Sequence, residues 1–215
     1  MNGTVHKLFP KIVYTKNLSE KVSINNLFDL KIFAEQQSWI NAGNNETPDT
    51  NNVNISKSSS NNDILNTKEL LFLKKILLDE FYIFKNNILK YTYNDFKITT
   101  SWIAKNNPGE QSNYHNHNNS MFSGIFYINT DNNSGAISFE DYSIKRFQLK
   151  MSEYNYNNAP EIKFYPYNNL LILFPSEMYH KILTNQSNIT RYSLAFNLVP
   201  TGLLGYENSD SQWIV

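Results

Sequence analysis

The chain has only four histidines in 215 residues, and three of them stand where a metal ion could be held. His115 and His117 are one residue apart in Tyr114-His115-Asn116-His117, just ahead of the strand-like run Met121 to Ile128. Side chains alternate faces along an extended strand, so the two rings project to one side and can close on one ion. His180 lies far downstream, after the apolar run Leu170 to Phe174, in Phe174-Pro175-Ser176-Glu177-Met178-Tyr179-His180. Neutral imidazole suits zinc, copper, iron and nickel, so the residue types alone admit several metals. Any one of these histidines could be an ordinary loop residue. The pair, the third histidine and an Arg191-x-Ser193 eleven residues beyond it point together to a metal site.

The last of these signals comes from strand alternation over 191–198. Tyr192, Leu194, Phe196 and Leu198 take one face; Arg191, Ser193, Ala195 and Asn197 take the other. If the polar face lines an internal cavity, the planar fork of Arg191 suits a carboxylate held by two parallel hydrogen bonds. The plainer alternative is an edge strand with a solvated arginine.

These residues need a frame, and the rest of the chain supplies one that is mainly β with an N-terminal helical layer. Val5 to Tyr14, around Pro10, suggests an edge strand or extended arm. Ser19 to about Ile40 carries loosely helical spacing with Ser23 as a cap and a break near Asn25-Asn26. Residues 41–62 are polar and low in complexity, which predicts a mobile loop. From Asn66-Thr67 the residues Leu70, Leu73, Leu77, Phe81, Phe84 and Ile88 recur three or four apart, the stripe of a helix packed on a sheet. Period-two or β-rich runs follow at Phe96-Ile98-Thr100-Trp102, 122–128, 136–139, 144–149, 162–165, 170–174, 181–184 and 191–199, separated by turn residues. The pattern is that of a sandwich or barrel. One domain is expected over 1–215, with arm, helices and loop in 1–92, a β core in 93–200 and a tail in 201–215.

Composition narrows the partners. Net charge is zero, which removes any global attraction to nucleic acid or an anionic membrane. Cysteine is absent, so disulfides, thiolate metal sites and a cysteine nucleophile are excluded together. No apolar run approaches a membrane span and the N-terminus lacks a signal-peptide core, which predicts a soluble, cytoplasmic protein.

The ordered set Ser101-Trp102-Ile103, His115-x-His117, Ser123-Gly124-Ile125-Phe126-Tyr127, Gly135 to Phe139, Phe174-Pro175-Ser176, His180 and Arg191-x-Ser193-x-x-Phe196-Asn197 resembles the 2-oxoglutarate/Fe(II)-dependent oxygenases frequent in marine phage and bacteria. The match runs over about 96–200, and its phage members leave a viral gene open. The resemblance implies a double-stranded β-helix, the jelly roll shared with cupins, with the cavity between its two sheets. It implies His115 and His180 as ligands to Fe(II), His117 at the position usually held by Asp or Glu, Arg191 on the far carboxylate of 2-oxoglutarate with Ser193 assisting, and Tyr127 touching the cosubstrate or an iron-bound water. Three neutral imidazoles leave the metal's full charge to the cosubstrate or to a nearby acid, for which Glu110, Glu140, Asp141 and Glu177 are candidates. The implied reaction consumes 2-oxoglutarate and dioxygen and hydroxylates a substrate that the sequence does not identify; loops 41–62 and 151–160 would select it. Two other readings stay open. A cupin would use the three histidines without 2-oxoglutarate, since Gly109, His115-x-His117 and Pro175 partly fit its motifs, and a metal-free jelly roll would serve as a binding module. The helical layer and edge strands leave an oligomer open.

Overall fold

The computed structural model describes residues 3–41, 55–91, 94–140, 149–205 and 212–215. In chain order the elements are β1 (Tyr14–Asn17), α1 (Ile24–Glu35), β2 (Trp39–Asn41), β3 (Lys57–Ser59), α2 (Leu71–Ile83), β4 (Asp95–Asn106), β5 (Phe122–Asn129), β6 (Ile137–Glu140), β7 (Glu161–Phe164), β8 (Leu170–Pro175), β9 (His180–Ile182), β10 (Arg191–Thr201), β11 (Leu203–Leu204) and β12 (Trp213–Ile214). Alternating side chains in the C-terminal half build two antiparallel sheets. The larger has seven strands in the order β1-β8-β5-β10-β4-β3-β2, the smaller three in the order β7-β6-β9. This is the double-stranded β-helix that the sequence predicts, and the alternation along β10 sorts its two cores. Tyr192, Leu194, Phe196 and Leu198 join a cluster with Leu73, Leu77, Phe81 and Phe84 of the helical layer. Ala195 joins Ile125, Tyr127, Ile172 and Phe174 against Ile137, Phe139 and Ile182 of the smaller sheet.

The helices depart from expectation in instructive ways. Asn25-Asn26 does not break α1 but starts it: the Ser23 hydroxyl accepts the Asn26 N–H at 3.2 Å and the Asn26 side chain accepts the Ser23 N–H at 3.0 Å, a closed capping box. Trp39 to Asn41, read as the end of that helix, forms a strand instead. The second helix opens with two short 3-10 turns and ends in a π turn at Phe84–Leu89. Leu73, Leu77, Phe81 and Phe84 are fully buried, but the wider π turn rotates the last member of the stripe outward, and Ile88 is 49% exposed. Among the described residues no helix is long and apolar enough to cross a membrane.

Other boundaries shift for backbone reasons. The N-terminal strand is Tyr14–Asn17, after Pro10, at the edge of the large sheet against β8. Of the segment expected to be loop, 42–54 lies outside the described residues, but Lys57–Ser59 is a strand between β2 and β4. Ladder bonds do there what apolar burial does elsewhere, and buried Ser59 accepts the Ile103 N–H at 3.0 Å. The strand expected over 144–149 falls almost wholly outside the described residues. The tail, instead of trailing, pairs β11 with β12.

One irregularity decides which way β4 faces. The run Phe96-Ile98-Thr100-Trp102 predicts one face, yet Phe96 and Ile98 pack toward the helices while Trp102 packs in the cavity. Asn197 pairs with Thr100 and Leu198 with Ile98, so Thr99 is the extra residue of a bulge, and it turns the strand over.

Gly124 shows how tightly the large sheet meets the helical layer. It pairs with Phe196 on β10, and a methyl group at its Cα would run into the Phe196 ring, which is fully buried and has nowhere to move. Gly124→Ala is expected to destabilise the fold by about 2 kcal/mol through overpacking, read as a lower urea midpoint at unchanged unfolding slope.

Candidate metal centre and carboxylate pocket

Backbone hydrogen bonds bring the three histidines together. His115 and His180 exchange both of theirs, His115 N to His180 O at 3.0 Å and His180 N to His115 O at 2.9 Å. Their rings lie 4.4 Å apart. His117 N donates to Ser176 O at 3.0 Å, so the segment is extended without being part of a regular strand; β5 begins only at Phe122. One ligand atom from each ring lies within 4.8 Å of the other two. The pairing of His115 with His117 on one side, inferred from alternation, is what the rings show, stacked at 5.3 Å. His180, the first residue of β9, is 1% exposed and packs on Phe174 at 4.9 Å and Phe139 at 5.8 Å.

Each ring is held by its Nδ1. His115 Nδ1 lies 2.9 Å from Asn113 O, His180 Nδ1 2.9 Å from Met178 O, and His117 Nδ1 2.6 Å from Asn197 Oδ1. A nitrogen facing a carbonyl oxygen carries the proton, which leaves Nε2 of every ring with a free lone pair. This is the second-sphere pattern that orients metal-ligating histidines. The partner of His117 is itself fixed: Asn197 Nδ2 donates to Thr100 Oγ1 at 3.0 Å and Ser123 Oγ donates to Asn197 Oδ1 at 2.8 Å. Burial disfavours the charged rings, so the pKa of His115 is lowered, and with repulsion from neighbouring rings adding to burial, that of His117 falls to about 4 and that of His180 to about 3. All three are neutral near pH 7, as ligation requires.

Among the described residues no carboxylate joins this cluster. Glu110 spends its two oxygens on Asn107, accepting at 2.8 and 2.9 Å. Glu140 accepts from Tyr114, whose pKa burial and that bond push up to about 12. Glu177 points to solvent, and Asp141 lies outside the described residues.

Arg191, the first residue of β10, presents an unusual state. It is 1% exposed, and among the described residues no acid pairs with it. Its Nη1 donates to Ser134 O at 3.5 Å and Gly135 O at 3.1 Å, its Nη2 to Ser193 Oγ at 3.4 Å, and its Nε has no partner. Gly135 can turn its carbonyl this way at φ +85°, where a Cβ would strike the Leu183 backbone. Tyr127 lies with its ring 5.5 Å from the guanidinium carbon, fully buried, its hydroxyl without a partner and kept protonated by burial. A buried charge without a counter-ion is costly, and the remaining Nε and Nη2 hydrogens present the edge that takes a carboxylate in two parallel bonds.

The donor set therefore fits an N-ligated transition metal beside an anionic carboxylate. The structure brings His115, His117 and His180 into one cluster and Arg191, Ser193 and Tyr127 into another, and both border the apolar cluster that includes Phe139, Phe174 and Tyr127. Sequence reasoning placed Asn197 on the polar face of its strand but assigned it no role. Asn106, the last residue of β4, drew no comment from the sequence.

Comparison with known proteins agrees with this geometry. No curated protein sequence matches the chain. Among solved structures of the same fold, a prolyl-4-hydroxylase from Pseudomonas putida superposes with a TM-score of 0.58 at 15% identity, over 88% of this chain and 93% of that one. HygX from Streptomyces hygroscopicus, solved with nickel and 2-oxoglutarate bound, gives 0.55 at 9% identity, over 88% and 83%. The epimerase SnoN from nogalamycin biosynthesis gives 0.60 at 6% identity, over 92% and 82%. Residues 100–197, which carry all three clustered histidines and Arg191, match the family model described as "Putative 2OG-Fe(II) oxygenase".

Proposed function

We propose that this chain is a 2OG-Fe(II) oxygenase of the hydroxylase type, in which His115, His117 and His180 hold Fe(II) through Nε2, and Arg191, assisted by Ser193 and Tyr127, holds the far carboxylate of 2-oxoglutarate. The observation that carries this reading is Arg191, a buried guanidinium with its Nε unpartnered beside a neutral metal-ligand cluster. A cupin that used the histidines without 2-oxoglutarate, or a metal-free binding module, would leave that charge buried to no purpose. We read 1–215 as one domain, since both apolar clusters lie on opposite faces of the same seven-stranded sheet.

When bound, iron supplies the redox chemistry by which dioxygen converts 2-oxoglutarate to succinate and carbon dioxide and places its other oxygen atom in a substrate C–H bond. The chain's own residues prepare this. The Nδ1 bonds to Asn113, Asn197 and Met178 fix the three rings before any metal arrives, and Arg191 orients the cosubstrate from its far end. Ile125, Phe139 and Phe174 keep the surroundings apolar. Hydroxylation is the outcome that needs nothing beyond these groups. With no carboxylate among the ligands, the near carboxylate of the cosubstrate would offset part of the metal's charge while its far carboxylate meets Arg191.

Anaerobic titration of metal-free protein with Fe(II) and then 2-oxoglutarate is expected to produce the weak visible charge-transfer band of an iron keto-acid chelate. His180→Ala should abolish metal uptake. Arg191→Ala should keep the metal and weaken 2-oxoglutarate by about a hundredfold; metal uptake with no response to 2-oxoglutarate in the wild type would overturn the reading. Asn197→Ala frees the His117 ring and should weaken metal by about tenfold or more, measured by competition with a chelator.

The depressed histidine pKa values set two pH dependences. Protons compete with metal only below the folded pKa values, so Fe(II) affinity should change little between pH 8 and 6, unlike that of free imidazole near 6.5. In the metal-free protein, the unfolded chain takes up protons below about 6.5 that folded His117 and His180 refuse until about 4 and about 3. Stability is therefore full above 6.5 and is lost as pH falls toward those values, measured by urea unfolding at pH 7 and pH 5.

A further inference from the structure

Six buried side-chain nitrogen or oxygen atoms lack a hydrogen-bond partner among the described residues: Asn86 Oδ1, Asn106 Nδ2 and Oδ1, Tyr127 OH, Asn169 Oδ1 and Arg191 Nε. Buried polar groups are nearly always paired, so each of these asks for an explanation. Four of the six belong to Asn106, Tyr127 and Arg191. Asn106 alone has both ends of its amide unpartnered, and it is 0% exposed.

The sheet register places these three residues together. Asn106 pairs directly with Arg191 across β4 and β10, the next inward pairs being Ala104 with Ser193 and Trp102 with Ala195. Directly opposed residues project to the same face with Cβ atoms roughly 5 Å apart, so the register puts the Asn106 side chain on the same face of the sheet as Arg191, next to it. Ser193 pairs in turn with Tyr127 on β5. The main chain of Asn106 is fixed independently, its carbonyl accepting Asn185 Nδ2 at 2.9 Å. The side chain is thus not needed to hold the strand end.

We infer that Asn106 is a fourth cosubstrate-binding residue, whose Nδ2 donates to the far carboxylate of the 2-oxo acid alongside Arg191 and Tyr127, with Ser193 behind Arg191. This rests on the reading of Arg191 given above. Such a carboxylate has about four lone-pair sites, and Arg191 Nε, Arg191 Nη2, Tyr127 OH and Asn106 Nδ2 offer four donors. An amide is suited to this place because it adds a donor without adding charge. A lysine would pile a second cation on Arg191, and an acid would cancel it.

The test uses Fe(II)-loaded protein under anaerobic conditions, titrated with 2-oxoglutarate and, separately, with 2-oxobutyrate, a 2-oxo acid that lacks the far carboxylate. Asn106→Ala is expected to weaken 2-oxoglutarate by about tenfold or more and to leave 2-oxobutyrate unchanged, while the melting temperature of the metal-free protein does not fall. Asn106→Asp, close to isosteric, places a carboxylate against Arg191; it should raise that melting temperature and abolish the 2-oxoglutarate response. Equal affinity of wild type and Asn106→Ala for 2-oxoglutarate overturns the inference, as does an equal loss for both acids, which would mean general distortion. If Asn106→Ala fails to fold, the Asp variant decides: unimpaired 2-oxoglutarate binding there also overturns it. A wild type that binds Fe(II) but ignores 2-oxoglutarate removes the reading of Arg191 and this one with it, an outcome distinct from a responsive wild type with an unaffected variant.

Discussion

An arginine buried to 1% exposure, with no acid to meet it among the described residues, is the constraint around which the cavity is arranged. Burying a lone cation costs far more than any single contact in a protein returns, and the fold offsets that cost only in part, with two backbone carbonyls and one hydroxyl. Those acceptors set requirements of their own. The carbonyl of Gly135 reaches the guanidinium only from a left-handed backbone conformation, and Ser193 must follow Arg191 by two so that alternation keeps both on one face. What remains unsatisfied is directional: the Nε of Arg191 meets no acceptor among the described residues.

The metal cluster is built on a different principle. Its rings are neutral, and their order comes from backbone geometry: a reciprocal pair of hydrogen bonds joins His115 to His180, and a carbonyl or amide oxygen holds each Nδ1. Where the wider family has an acid, this chain has His117, with Asn197 rather than a carboxylate behind it. The three-histidine cluster therefore contributes no negative charge of its own to offset a bound cation.

The site was legible in the sequence to the extent that chemistry and alternation agree. Three histidines and an arginine are rare enough here to stand out, and period two along β10 separated its cavity face from its helical face. Legibility failed where the backbone departs from regular geometry. The bulge at Thr99 reverses the faces of β4, and nothing in the side chains of 96–102 announces it. The π turn displaces Ile88 from its stripe. Polarity was equally misleading around β3, where Lys57, Ser58 and Ser59 form a strand held by ladder bonds that composition does not reveal.

Trp102, carried to the cavity face by that bulge, lies with its ring 5.6 Å from His117. The other two tryptophans are elsewhere: Trp39 tilts on Tyr192 at 6.0 Å, and Trp213 is 69% exposed. The chain thus carries its own optical gauge. A paramagnetic ion among the histidines would quench the emission of one indole and leave the other two as an internal reference, so occupancy of the centre can be followed by intrinsic fluorescence without a label or a substrate.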